Sequence, residues 1–178
     1  MISIKEKEKK GFAVLKEKFG YKNPMQSPRL KKVVVAVGVG STKDKKKVEL
    51  IADRLTKITG QKVSPTVAKK SIASFKVREG DKVGYVVTLR GKRMYDFLER
   101  YLNIALPRTK DFRGIPKKSL DEIGNYTVSV KEHTIFPETS NEEIKDVFSF
   151  AITIVTSAKT KEEAGEFLTA LGFPFKKD

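Results

Sequence analysis

The chain has 178 residues, 39% of them hydrophobic, and no cysteine. That is long enough for one domain with a true core, and it excludes disulfides and thiolate metal sites. Its net charge of +15 directs attention to phosphate backbones or anionic membrane surfaces as partners. No apolar run approaches the roughly 18 residues of a membrane span. The start, MISIKEKEKK, has no apolar signal-peptide core, so a soluble cytoplasmic protein without membrane attachment is expected. The charge is uneven. Residues 1–139 carry 32 basic against 15 acidic side chains, and residues 140–178 carry 5 against 7. One basic face is expected, with the C-terminal part directed elsewhere.

Residues 3–19 read as a helix with Ile4, Phe12, Leu15 and Phe19 on one stripe and Gly20 as its stop. Asn23-Pro24 and Ser27-Pro28 impose extended backbone after it. Val33 to Val37 is a continuous apolar, mostly β-branched run, read as a buried strand. Gly38-Val39-Gly40 follows and allows a tight turn or close backbone approach. It lacks the third glycine of a dinucleotide fingerprint, and no GxxxxGK[ST] exists.

Residues 43–59 form a second helix, with Val48, Ile51, Ala52, Leu55 and Ile58 at helical spacing. Ser41 or Thr42 can cap it and Gly60 can stop it. Lys45, Lys46 and Lys47 sit at the end the helix dipole disfavours for cations. They are read equally as a solvated face or as phosphate contacts.

The stretch Ile58–Arg93 holds nine Lys or Arg and two acids. Residues 61–90 within it are read as strand, loop and strand. Val83, Tyr85, Val87 and Leu89 face the core; Gly84, Val86, Thr88 and Arg90 face the other way. Phe75 to Arg78 is expected to pair back across a turn at Glu79-Gly80-Asp81. Residues 92–105 form a helix on Met94, Phe97, Leu98, Tyr101 and Leu102, ended by Pro107. A long basic loop, 107–123, follows, of a length uncommon without a function. Tyr126, Val128 and Val130 alternate as a strand, and a short helix is expected near 141–147. Phe150, Ile152 and Ile154 alternate as a last strand. Thr160 and Glu163 form a capping box for a final helix closed by Gly172 and Pro174.

From residue 33 to 130 the order is β-α-β-β-α-β, a split ferredoxin-like, RRM-like pattern. The expected class is therefore α+β: an antiparallel sheet with helices on one face, an N-terminal helix, and a C-terminal strand and helix. The other sheet face is left free, as in RNA-recognition domains, but without their paired aromatics. Shape and backbone contacts are expected there rather than base stacking.

Reactive chemistry is missing. His133 is the sole histidine, so no Cys-His pair and no histidine zinc site can form; beside Ile135 and Phe136 it reads as structural. Glu142-Glu143 and Glu162-Glu163 are adjacent pairs, which point apart on a helix and make no acid/base dyad. No catalytic residue, metal ligand or cofactor is assigned. Charge and topology leave RNA binding ahead of a protein–protein adaptor with a basic surface.

Longer motifs add to this reading. They are NPMQSPRLKK at 23–32, GVG at 38–40, ITGQK at 58–62, AKKSIASFKVREG at 68–80, VTLRGKRMYDFLERYLNIALPRTKDFRG at 87–114, GNY at 124–126, IFPE at 135–138, ITIVTSAKTKEEA at 152–164 and GFPF at 172–175. In this order and spacing the chain resembles the bacterial large-subunit ribosomal protein L-five family, nearly end to end and as one RNA-binding domain over 1–178.

The resemblance implies a structural protein that anchors 5S rRNA in the central protuberance and touches 23S rRNA and other 5S-associated large-subunit proteins. It also implies contact with P-site tRNA and a bridge to small-subunit protein S-thirteen. It assigns Gln61, Lys62, Thr88, Arg90, Arg29, Gly38 and Gly40 to 5S rRNA. Lys69, Lys70, Ser71, Phe75, Lys76 and Arg78 go to a tRNA-facing loop, and Phe136, Glu138 and Lys145 to the intersubunit bridge. This chain departs from the family's usual residues at Ala36 (Asn), Ser74 (Gly), 120–123 and Ser129 (Gly).

Overall fold

The computed structural model describes residues 3–42, 44–110, 112–140 and 146–176. Four helices and five strands follow in chain order: α1 (Ile4–Phe19), β1 (Leu30–Gly38), α2 (Lys45–Thr59), β2 (Ser64–Val67), β3 (Lys82–Leu89), α3 (Gly91–Arg100), β4 (Tyr126–Val130), β5 (Phe150–Thr156) and α4 (Lys161–Leu171). Local chemistry sets most ends. Ser3 Oγ accepts from Glu6 N to open α1, and Gly20, Gly60 and Gly172 close α1, α2 and α4 in the left-handed conformation.

Some ends differ from expectation. The cap of α2 is Asp44, whose carboxylate accepts from Lys46 N at 2.9 Å, not Ser41 or Thr42. An anionic cap also offsets the three lysines that follow it. The capping box of α4 is half built. Thr160 Oγ1 accepts from Glu163 N at 3.2 Å, but Glu163 turns to Lys159 N at 2.6 Å and to the Tyr21 hydroxyl. That contact ties the extended linker after α1 to the C-terminal helix. Beyond Arg100, α3 widens into a π-helical turn, Tyr101–Ala105, before Pro107. Residues 141–145, which include most of the expected short helix and Glu142-Glu143, lie outside the described residues.

One sheet joins all five strands in the order β2-β3-β1-β5-β4, every neighbouring pair antiparallel. The α+β class, the helix before the sheet motif and the strand and helix at its end are as expected. The β-α-β-β-α-β unit, however, is completed by β5 and not by β4. Only a strand running opposite to β1 can pair antiparallel beside it. The long loop after α3 brings the chain back so that β4 runs with β1 and β5 against it. β4 becomes an edge strand.

The core lies on one sheet face. Val33, Val35 and Val37 on β1 pair with Leu89, Val87 and Tyr85 on β3, and Val33 and Val35 with Ile154 and Ile152 on β5. All are buried, with Ile51, Leu55 and Ile58 of α2, Met94, Phe97 and Leu98 of α3, and Phe167, Leu168 and Leu171 of α4. His133 is fully buried, its ring stacked on Phe148 at 4.2 Å, with Nδ1 accepting from Phe148 N at 3.4 Å. It is a core residue, as its apolar neighbours implied. The 107–123 loop is pinned rather than loose. Ile115 is buried and exchanges backbone hydrogen bonds with Pro174 and Lys176, at 2.8 and 2.9 Å.

Tyr101 is fully buried, and its hydroxyl has no hydrogen-bond partner among the described residues. Burial pushes this phenol well above the usual tyrosine range, with Tyr126 adding to the effect. A buried hydroxyl without a partner is a net cost. Tyr101→Phe is therefore expected to stabilise the fold by about 1 kcal/mol, read as a higher midpoint in thermal or urea unfolding.

Candidate nucleic-acid interface

Among the described residues, no helix covers the second face of the sheet. Its residues alternate with the core set: Lys32, Val34, Ala36 and Gly38 on β1; Gly84, Val86 and Thr88 on β3; Ala151, Thr153 and Val155 on β5. Thr127 and Ser129 of β4 and Ser64 and Thr66 of β2 extend it to both edges. Apart from Gly84, which its neighbours enclose, these positions are exposed or half-buried. All but Lys32 are small or β-branched, and none is aromatic. Small side chains leave a smooth surface that another backbone can approach closely, and the hydroxyls of Thr and Ser line it with short hydrogen-bonding groups. Thr127 and Thr153 already share one such bond at 3.1 Å.

The apolar run Val33 to Val37 reads as a strand buried on both sides, but Val34 is half-buried and Ala36 exposed. Hydrophobicity alone cannot tell a small open-face residue from a core one. The signal that could have separated them is the period of two, which puts Lys32, Ala36 and Gly38 on a single face. The residues of β4 and β5 on this face were missed because only the pairing of β5 with β1 and of β4 with β5 brings them to it. Ala36 and Ser129 both stand on it.

Cations gather at one end of the open face. Arg90 follows β3 immediately after the Val33–Leu89 pair, beside Lys32 on β1; Lys62 precedes β2. Arg90 and Lys62 are exposed. Gln61 is spent on the protein: its Nε2 donates to Thr88 O at 3.2 Å and its Oε1 accepts from Arg93 at 3.4 Å. It fixes the arginine and the strand end rather than projecting freely. Gly38 and Gly40 lie at the opposite end, where the tight backbone approach falls on Gly84. A Cβ there would stand 2.6 Å from Val37 O and 2.8 Å from Thr66 Oγ1, whereas nothing lies within 4 Å of one at Gly38. Arg29 is exposed at the start of β1, its backbone bound to Ser157 at both N–H and carbonyl. The sequence-derived set thus does not form one cluster; it spans the length of the sheet.

The β2–β3 connection is a built hairpin loop. Ala68 N donates to Asp81 O at 2.9 Å and Gly80 N to Ala68 O at 3.0 Å, closing its base. Ile72 and Val77 form an antiparallel bridge inside it. Phe75 to Arg78 therefore turns back on the loop's own first half, not across Glu79-Gly80-Asp81, because the Arg78 and Glu79 amides are taken by Asp81 and Ser71 side chains. Lys69, Lys70, Phe75, Lys76 and Arg78 are all exposed. Ser71 is also exposed, although its hydroxyl is engaged by Glu79.

The residues assigned to a bridge part company. Phe136 is fully buried and stacks on Phe97 and Tyr101, so its ring presents no surface. Glu138 accepts from Arg100, which also donates to Ile58 O at 3.0 Å. Lys145 lies outside the described residues.

A one-sided sheet with an open face of small residues, a cationic end and a basic hairpin makes this a basic α+β protein with one sheet face left uncovered among the described residues. Residues 23–78 match the family described as Ribosomal protein L5, and residues 82–175 match the description of that ribosomal family's C-terminus. The large ribosomal subunit protein uL5 of Heliobacterium modesticaldum is 49% identical over 178 residues, covering 99% of each chain. The proteins of the same name from Desulfotalea psychrophila and Mesoplasma florum are 51% and 52% identical, covering 92% and 90% of each chain respectively. The chain belongs to the ribosomal protein L5 family. It is a structural constituent of the large ribosomal subunit, acting in translation on the cytoplasmic ribosome, and not an enzyme.

Proposed function

We propose that this ribosomal protein grips 5S rRNA with the open sheet face and its cationic end, helping to attach that RNA to 23S rRNA in the central protuberance beside other 5S-associated proteins. The basic hairpin of residues 68–81 reaches P-site tRNA, and the segment around 132–147 meets small-subunit protein S-thirteen. The chain does this as one RNA-binding domain. In support of that, β1, from the first matched region, pairs with β3 and β5 from the second. The observation that carries the reading is the open face itself: five strands wide, free of helices and aromatics among the described residues, and ending in Arg90 and Lys62. Such a surface suits sugar and phosphate contacts and offers no platform for stacked bases.

Lys and Arg position the RNA through phosphates, while Thr88 and its hydroxyl-bearing neighbours meet sugars or base edges. Arg90→Ala is expected to weaken 5S rRNA binding and to lower the slope of log affinity against log salt by about one. Its unfolding midpoint should stay within about 0.5 kcal/mol of wild type, because the side chain is exposed. Filter binding at several salt concentrations, with urea unfolding alongside, checks both. Unaltered affinity and slope in a folded variant would remove Arg90 from the interface. A salt slope near zero for the wild-type protein would favour a protein adaptor instead.

A further inference from the structure

Beside the open sheet, the 68–81 hairpin and the turn at Gly40 bound a cleft of about 690 Å³. Its surface is mostly apolar, from Ala68, Ile72, Phe75, Val77 and Val83, with Gly40 leaving one side bare and Ser41 beside it. Phe75 is 73% exposed, the most exposed large hydrophobic side chain among the described residues, and Ile72 is 46% exposed. Leaving an aromatic ring in water forgoes the free energy of its burial. The presentation is also built in. Lys76, next in sequence, holds φ 51°, the only left-handed non-glycine among the described residues, and its N–H closes the turn on Ala73 O at 3.0 Å. Lys69 and Lys70 line the same cleft, and exposed Lys76 and Arg78 flank it.

We propose that this cleft receives one unpaired RNA base, stacked on Phe75, while Lys69, Lys70 and Lys76 hold the flanking phosphates. The proposal rests on the reading of the hairpin as an RNA-contacting loop and adds the form of RNA it takes. Every base has a π-face that an aromatic ring can accept, whereas a mostly apolar wall with Ser41 as its one hydroxyl offers little to read base edges. Binding is thus tolerant of sequence but demands an exposed base, which a continuous duplex does not offer. An acidic protein segment would meet the same cations. An RNA strand is favoured because the hairpin continues directly from β2 and β3, two strands of the sheet whose open face is read as the RNA surface, and Phe75 supplies an aromatic ring that the open face lacks. The two surfaces then divide the work: the sheet meets backbone and sugar, the hairpin an unstacked base.

The chain contains no tryptophan, so Phe75→Trp places a lone tryptophan, excited at wavelengths beyond the absorption of the tyrosines, at the cleft. That variant is titrated with an eight-residue oligouridylate, with the same oligomer made abasic at its central positions, with a twelve-base-pair RNA duplex, and with an acidic peptide of Glu and Leu. The expected result is quenching by the oligouridylate and none by the abasic oligomer or the duplex. Phe75→Ala should weaken oligouridylate binding by about five- to a hundredfold, with circular dichroism unchanged. Equal binding of the abasic oligomer without quenching would overturn the stacked base. If Lys69, Lys70 and Lys76 together changed to Ala still weakened binding in that case, the hairpin would remain an RNA surface; if they did not, that reading would fall as well. Tighter binding and stronger quenching by the acidic peptide would transfer the cleft to a protein partner and overturn the proposal.

Discussion

Phe136→Ala is expected to destabilise the protein by about 3–5 kcal/mol, the range for removing a buried aromatic ring. The ring is fully buried. It stacks on Phe97 at 5.9 Å and Tyr101 at 6.4 Å and leans on Phe150 at 6.0 Å. It therefore fastens α3 and the turn beyond it to β5 and to the segment following β4. A cavity at this junction cannot collapse without moving two elements. Any loss of subunit bridging in this variant should follow loss of fold. Glu138→Ala tests the separation. Its partner Arg100 is about a third exposed, so the pair is worth at most about 1 kcal/mol and the fold should persist. Urea unfolding of the two variants checks the contrast, and a Phe136→Ala midpoint near wild type would show that the ring is not the fastener described.

Gly84→Ala is the second large effect, and its cause is backbone contact rather than a cavity. The added methyl would meet Val37 O at 2.6 Å and Thr66 Oγ1 at 2.8 Å. The threonine can rotate away, but the carbonyl belongs to the central strand and cannot move without breaking the pairing of β1 with β3. Overpacking of this kind costs about 1–3 kcal/mol. The strain should be relieved at the edge, where β2 is only four residues long and contains Pro65. Amide exchange should therefore quicken along Ser64–Val67 before it does in β1 or β5. Gly40→Ala is the matched control, since its nearest neighbour would be 3.9 Å away. If Gly84→Ala matched that control in stability and in exchange, the tight approach would carry no energetic weight.

This contrast also shows how far the chain can be read without its fold. Gly-Val-Gly at 38–40 invites the expectation of close approach because paired glycines are locally conspicuous. The crowding sits instead at Gly84, an isolated glycine in an ordinary alternating strand. Crowding is a relation between strands, and Val37 and Thr66 reach Gly84 only through pairing. Asp44 in place of Ser41 or Thr42 as the α2 cap is a smaller case of the same kind. Several nearby residues had the right chemistry, and the angle of entry chose among them. The set that the resemblance assigns to 5S rRNA is likewise dispersed by the fold: Gln61 is consumed in holding Arg93 and Thr88 O, and the glycines stand at the far end of the sheet.

By themselves, the residues determined the α+β class, the described helices and strands within a few positions, the core stripes and the basic charge. Each of these follows from local spacing or from summed charge. Only the tertiary structure decided that β5 completes the sheet, that the open face runs across five strands, that Phe136 is core, and that Phe75 overhangs a cleft. Those facts depend on which distant segments meet, and strand direction, steric fit and solvent exposure exist only after they have met.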